Sequence, residues 1–116
     1  MMPSRTVRIL VATRPVDFRK GHDGLAVLAQ SVLKEDPFSG TVFVFRAKRA
    51  DRLKILFWDG SGLVMAYKRL EETGFTWPLV RDGVMTLSRA QFEVLFAGLD
   101  WRRVRAVDAR RPAAAE

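Results

Sequence analysis

The alternation of apolar and polar positions along the chain predicts several short strands and two helices. Strands are expected where β-branched and aliphatic residues run together between turn residues. These segments are Val7–Ala12, Thr41–Arg46, Leu53–Trp58 and Leu63–Arg69, with a brief further strand after Gly83. Because short connections join the second, third and fourth segments, these three strands are predicted to pair as an antiparallel meander.

Apolar residues spaced three and four apart predict the helices. The first is expected over Leu25–Glu35, with Asp23 as its N-cap. The second follows Ser88, which forms a capping box with Gln91, and Gly98 suits its left-handed C-terminal position. The fold class is therefore α+β, with an antiparallel sheet of about four to five strands carrying two main helices in a single domain.

That domain is predicted to span residues 1–107, and residues 108–116 are expected to form a disordered, Ala-rich basic tail. Large apolar side chains occupy both sets of alternate positions in Leu53–Trp58. Both faces of the sheet are therefore expected to be covered, one by a helix and the other by a further segment or a partner.

The charge balance and the residue types present limit the classes of function that this protein can have. Lys and Arg number 20 against 13 Asp and Glu, which gives a net charge of +7 in 116 residues. Such a balance favours polyanionic partners. The chain has no cysteine and a single histidine, so disulfides, thiolate sites and multi-histidine metal sites are excluded. No apolar run approaches the roughly 20 residues of a membrane span, no secretory signal is apparent, and a cytoplasmic location is expected.

The sequence shows no catalytic constellation and indicates no cofactor, metal or small-molecule substrate. The carboxylates are scattered over turns and caps, whereas metal-dependent strand transfer needs several at one point. His22 beside Asp23 is the one acid–base pair, in a Gly-flanked loop typical of surface residues. The segment Asp59–Gly62 precedes a strand, so it is interpreted as a hairpin turn and not as a phosphate loop. The protein is predicted not to be an enzyme, and a small metal-independent ribonuclease is the least favoured alternative.

The basic residues are the candidate binding groups. In an antiparallel meander, the first connection and the far end of the third strand lie at the same edge of the sheet. Cations near both positions are therefore expected to converge there and to contact nucleic-acid phosphates; they are Arg46, Lys48, Arg49, Arg52, Lys54, Lys68 and Arg69. A second patch is predicted at Arg14, Arg19 and Lys20. The alternative interpretation is a solvated surface that only confers solubility.

Several blocks of the sequence, in order, resemble one known family. They are Thr13–Gly21, Asp23–Leu25, Asp36–Gly40, Val42–Phe45, Asp51–Leu56, Trp58–Gly60, Tyr67–Glu71 and Gly98–Trp101. Together they are similar to the TnpB accessory proteins, or second open reading frame, of the insertion-sequence sixty-six family of bacterial transposons. The resemblance covers roughly residues 7–103, which is nearly all of the predicted domain.

This resemblance implies a small protein that is encoded beside a separate, larger transposase and is needed with it for efficient transposition. It supplies no catalytic residues. We therefore expect a non-enzymatic accessory protein that binds transposon DNA, the transposase of the same element, or both, through its basic surface. The alternative is a protein-interaction module for the transposase without direct DNA binding. The sequence leaves the oligomeric state open.

Overall fold

The computed structural model describes residues 7–79 and 83–104. A five-stranded sheet is its central layer. Its strands are β1 (Ile9–Ala12), β2 (Val42–Arg46), β3 (Arg52–Trp58), β4 (Leu63–Arg69) and β5 (Val84–Leu87). Helix α1 (His22–Ser31) connects β1 to β2, helix α2 (Arg89–Phe96) follows β5, and a short 3-10 helix covers Trp101–Arg103.

The α+β class and the meander are confirmed, because β2, β3 and β4 are consecutive antiparallel neighbours. The strand order is β4-β3-β2-β1-β5, so β1 lies inside the sheet. It pairs antiparallel with β5 but parallel with β2. A parallel pair needs a long crossover connection, and the segment containing α1 provides one. The sheet is therefore mostly antiparallel, in agreement with the prediction, but the parallel pairing of β1 with β2 makes it mixed.

The two faces of the sheet carry separate hydrophobic cores. On one face, α1 packs its Leu25 and Ala29 against Phe43 and Leu56. On the other face, the cluster comprises Ile9, Val11, Val42, Val44, Leu53, Phe75, Leu87, Leu95 and Trp101. The alternation in β2 and β3 is thus apolar on both sides because the sheet is covered on both sides. The cover on the second face comes from this chain itself, through α2 and the residues around Phe75 and Trp101.

The boundaries of α1 differ from the predicted ones. The helix begins at His22 after Gly21, which makes no side-chain capping hydrogen bond, so the prediction of Asp23 as N-cap is wrong. Asp23 lies in the first turn, where its carboxylate still faces the positive end of the helix dipole. The helix ends at Ser31 because the chain soon turns through Lys34, whose φ is +59°.

The capping box of α2 is confirmed at both of its hydrogen bonds. The Gln91 amide donates to Ser88 Oγ at 3.0 Å, and the Ser88 amide donates to Gln91 Oε1 at 2.9 Å. At the other end, the Gly98 amide donates to the Leu95 carbonyl and Gly98 has a φ of +82°. The Leu99 amide donates to the Val94 carbonyl, which completes a Schellman motif.

Replacing Ser88 by alanine is expected to lower the free energy of unfolding by about 1 kcal/mol, because the Gln91 amide loses its acceptor. Chemical denaturation measures this change. The control is Ser31→Ala at the exposed end of α1, where the serine hydroxyl only donates back to the Val27 carbonyl. Equal effects of the two substitutions would show that the capping box does not stabilise α2.

Candidate nucleic-acid interface

Cations from the β2–β3 connection and from the end of β4 lie at one end of the sheet, as predicted. Arg52 is directly opposite Arg69 in the β3–β4 register, and Arg46 is opposite Leu53 in the β2–β3 register. Lys48 and Arg49 lie between Arg46 and Arg52, in the exposed connection that joins β2 to β3. Antiparallel pairing thus brings residues far apart in sequence to a common edge.

The β1–α1 loop reaches the same end, so the predicted second patch is not separate. Because β1 runs parallel to β2, the chain leaves both strands at this end. The Val16 amide donates to the Arg46 carbonyl at 2.9 Å, which ties the loop to the end of β2. Sequence reasoning missed this juxtaposition, which depends on the parallel pair. The exposed and half-exposed cations at this end are called the cationic end below: Arg14, Arg19, Lys20, Lys48, Arg49, Arg52 and Arg69.

Lys54 does not belong to the cationic end, and its predicted phosphate contact is corrected. Lys54 is only 4% exposed. The ammonium donates to the carbonyls of Phe18 at 2.8 Å and Lys20 at 2.9 Å. It also lies 5.0 Å from the centre of the Phe18 ring and 5.1 Å from that of Tyr67. Lys54 therefore anchors the β1–α1 loop to the sheet, and burial keeps it from a phosphate.

Lys68 and Arg46 are half-buried on the other face of the sheet. Lys68 donates to the Phe96 carbonyl at 2.6 Å, and its ammonium lies 4.3 Å from the centre of the Phe96 ring. Arg46 places its guanidinium 5.3 Å from the centre of the Trp77 ring, and burial lowers the pKa of this group. Arginine nevertheless stays charged in proteins. Both cations make contacts within the fold, so we leave them out of the cationic end.

The members of the cationic end differ in how they are paired. Arg14, Lys20 and Lys48 are exposed and have no side-chain partner in the described part of the chain. Arg49 and Arg69 form ion pairs of 3.5 Å, with Asp51 and Glu71 respectively. Ion pairs at exposed positions contribute little free energy, so these arginines can exchange a carboxylate for a phosphate.

Arg19 is held more firmly than the other cations. Its guanidinium lies 2.7 Å from Asp17 Oδ2, and it also donates through Nε to the same carboxylate. The side-chain hydrogen bond from Arg19, with support from the Arg19 amide, lowers the pKa of Asp17 to about 2. Asp17 is therefore ionised at neutral pH and offsets the charge of Arg19.

Tyr67 is the aromatic side chain placed among these cations. It is 49% exposed, its hydroxyl accepts from the Arg52 guanidinium at 3.3 Å, and its ring lies perpendicular to that of Phe18 with the ring centres 5.5 Å apart. Arg52 is thereby oriented on the same face of the sheet as Tyr67. A partly exposed ring next to guanidinium groups suits contact with a nucleobase or a sugar.

The Asp59–Gly62 turn lies at the opposite end of the sheet and is structural, as predicted. Asp59 Oδ1 accepts from the Ser61 and Gly62 amides, each at 2.8 Å, and these bonds lower the pKa of Asp59. Gly60 has a φ of +102°, a conformation that strongly favours glycine. The side chain of Asp59 thus occupies the amides that a phosphate would need.

Acidic and histidine side chains are dispersed in the described part of the chain. No group of three or more His, Cys, Asp or Glu residues there is arranged to hold a metal ion. His22 is exposed at the first position of α1. Within residues 7–79 and 83–104, no helix combines the length and the apolar character needed to span a membrane.

The fold and the cationic end define a small basic α+β protein whose charges gather from three separate segments. The chain belongs to the family described as "IS66 Orf2 like protein", whose sequence model matches residues 7–106. It is 52% identical over 110 residues to the uncharacterised protein y4jC of Sinorhizobium fredii, covering 95% of this chain and 94% of that protein. It is 41% identical over 103 residues to y4hO of the same organism, covering 88% and 90%. No solved structure matches the chain. Family membership indicates an accessory role in the transposition of insertion sequences.

Proposed function

We propose that this protein is a non-enzymatic accessory factor that assists transposition of a bacterial insertion sequence by binding the DNA of the element at its cationic end. The observation that carries the proposal is the convergence of three segments on one end of the sheet. The β1–α1 loop, the β2–β3 connection and the end of β4 each contribute cations there. Family membership supports the transposition context.

The chemistry of the cationic end fits a phosphate backbone. Its unpaired cations, Arg14, Lys20 and Lys48, come from two different segments, so they can meet phosphates spaced along a strand. Arginine and lysine contacts to phosphate position a protein on DNA without reading its sequence. Sequence preference, if the element's ends require it, would therefore come from other contacts or from the transposase.

Binding of the wild-type protein to terminal-repeat DNA of the element is expected to weaken steeply as salt is raised. Each neutralised phosphate releases condensed counterions, so the logarithm of the affinity falls by about 0.9 per contact for each tenfold rise in salt. A mobility-shift assay across a salt series measures this slope. Absence of binding, or binding that salt does not change, would contradict the DNA part of the proposal.

A protein-interaction role for the same end is the second candidate, because Arg49 and Arg69 already pair with carboxylates. In that case the basic surface meets an acidic surface on the transposase. Co-purification of the two proteins after nuclease treatment separates the candidates. Association that persists without nucleic acid, together with no affinity for free DNA, would favour the interaction module.

A further inference from the structure

An apolar groove lies beside the cationic end, on the α1 face of the sheet. It has a volume of about 590 Å³, within the range of roughly 300–1,000 Å³ that is usual for ligand pockets. Leu28, Val32 and Leu33 of the α1 region form one wall. Its floor is formed by side chains of three strands, and the lining residues there are Ala12, Phe45 and Val84.

The groove exists because α1 leaves part of its face of the sheet uncovered. The helix has its strongest strand contacts with β3 and β4, while Ala12 and Val84 belong to β1 and β5 on the other side of the strand order. Val32 is 60% exposed although it lines the groove. An aliphatic side chain with this much exposure beside further apolar surface is typical of a contact site.

The rim of the groove carries a net positive charge. Arg14 and Lys20 both line it, and neither has a side-chain partner in the described part of the chain. Asp17 also lines the rim, but Arg19 neutralises its carboxylate at 2.7 Å. An apolar interior with two unpaired cations at its edge is complementary to an apolar side chain flanked by carboxylates.

We infer that this groove binds an acidic, apolar segment of the transposase encoded by the same element. The inference rests on the transposition role in the proposed function, because the transposase acts in the same process. It adds the chemistry of the bound segment: aliphatic or aromatic side chains in the groove, with aspartate or glutamate beside Arg14 and Lys20. Duplex DNA has no apolar side chain to fill such a groove. The groove adjoins the cationic end and shares Arg14 and Lys20 with it, whereas Lys48, Arg49, Arg52 and Arg69 do not line the groove.

The test uses overlapping peptides that cover the transposase, titrated against the full-length protein and two variants, one at the C-cap of α1 and one within the helix. Val32→Glu puts a carboxylate in the groove wall. Val27→Glu is the matched control, because Val27 in α1 is 57% exposed, close to the 60% of Val32 at the C-cap of the same helix, and does not line the groove. A peptide with apolar and acidic residues is expected to bind the wild type and to lose at least about tenfold in affinity with Val32→Glu. The introduced carboxylate would lose water when the peptide binds and would lie close to the carboxylates of the peptide, which repel it. Val27→Glu is expected to bind like the wild type.

Val32→Lys distinguishes charge complementarity from a general disturbance of the helix. It is expected to bind the acidic peptide more tightly than Val32→Glu does, whereas equal losses in both variants would overturn the inference. The inference would also be overturned if no peptide binds the wild type, if the bound peptides are basic, or if Val27→Glu loses as much peptide affinity as Val32→Glu. Sedimentation of the same variants tests self-association, and a dimer that only Val32→Glu dissociates would instead assign the groove to a second copy of the chain.

A mobility shift with terminal-repeat DNA on the same proteins separates this inference from the proposed function. DNA binding that survives while no peptide depends on Val32 would overturn the groove inference and leave the DNA proposal in place. Peptide binding that depends on Val32, without any DNA binding, would uphold the groove and contradict the DNA proposal.

Discussion

The double variant Lys48→Gln and Arg49→Gln is expected to lose affinity for terminal-repeat DNA by a factor on the order of fifty at about 0.1 M salt. Each phosphate contact contributes about 0.9 to the salt slope of duplex binding, so the loss of two contacts reduces the slope by about two. Both side chains are exposed in the β2–β3 connection, and Arg49 is held only by an ion pair of 3.5 Å. Mobility shifts at several salt concentrations measure the affinity and the slope.

The control for this experiment is the double variant Arg8→Gln and Lys34→Gln. It removes the same charge from the opposite end of the sheet, where the Arg8 carbonyl accepts from the Val42 amide at the start of β2. Arg8 is bound to Glu35 in an exposed ion pair, so its loss has little effect on stability. If both double variants weaken binding equally, net charge and not the cationic end determines the affinity.

Replacing the buried Lys54 by methionine is expected to lower the free energy of unfolding by about 3 kcal/mol. Methionine keeps the length and apolar character of the side chain but removes two charge-assisted hydrogen bonds, each typically contributing about 1.5–3 kcal/mol. The Phe18 and Lys20 carbonyls then lose their donor. Because these bonds hold the β1–α1 loop, DNA binding through Arg14 and Lys20 is expected to weaken as well.

Lys20→Met is the matched control, since Lys20 is exposed and only its carbonyl, not its side chain, bonds to Lys54. It is expected to leave stability nearly unchanged while removing one phosphate contact. Denaturant unfolding of both variants measures the difference. Similar stabilities of Lys54→Met and the wild type would show that the ammonium of Lys54 contributes no net stabilisation at its buried position.

The elements that could be predicted are those whose determinants lie close together in the chain. The meander follows from alternating apolar runs joined by short turns. Its register places Arg52 opposite Arg69, which confirms that the β2–β3 connection and the end of β4 lie at the same edge. The α2 cap follows from Ser88 and Gln91, three residues apart. The predicted start of α1 is wrong because Gly21 has no side chain that could mark it as the N-cap, whereas Asp23, in the first turn, has a typical capping side chain.

The candidate site was predictable only in part. That cations would gather at one edge follows from antiparallel pairing, but the pattern of alternate positions cannot tell an exposed lysine from a buried one. Lys54 lies in a strand that carries apolar residues on both faces, and its ammonium is buried by a loop that begins more than thirty residues earlier in the chain. The groove beside α1 likewise depends on how the helix is placed across the sheet.

By itself, the sequence determined the α+β class, the meander, the cap of α2 and the family, because each depends on local patterns or on blocks in a fixed order. Only the tertiary structure decided that β1 inserts parallel to β2. That one long-range pairing brings the β1–α1 loop to the cationic end, buries Lys54 beneath it and places Arg14 and Lys20 at the rim of the groove. Pairing between strands separated by a helix is determined by packing on both faces of the sheet, and no short stretch of sequence encodes it.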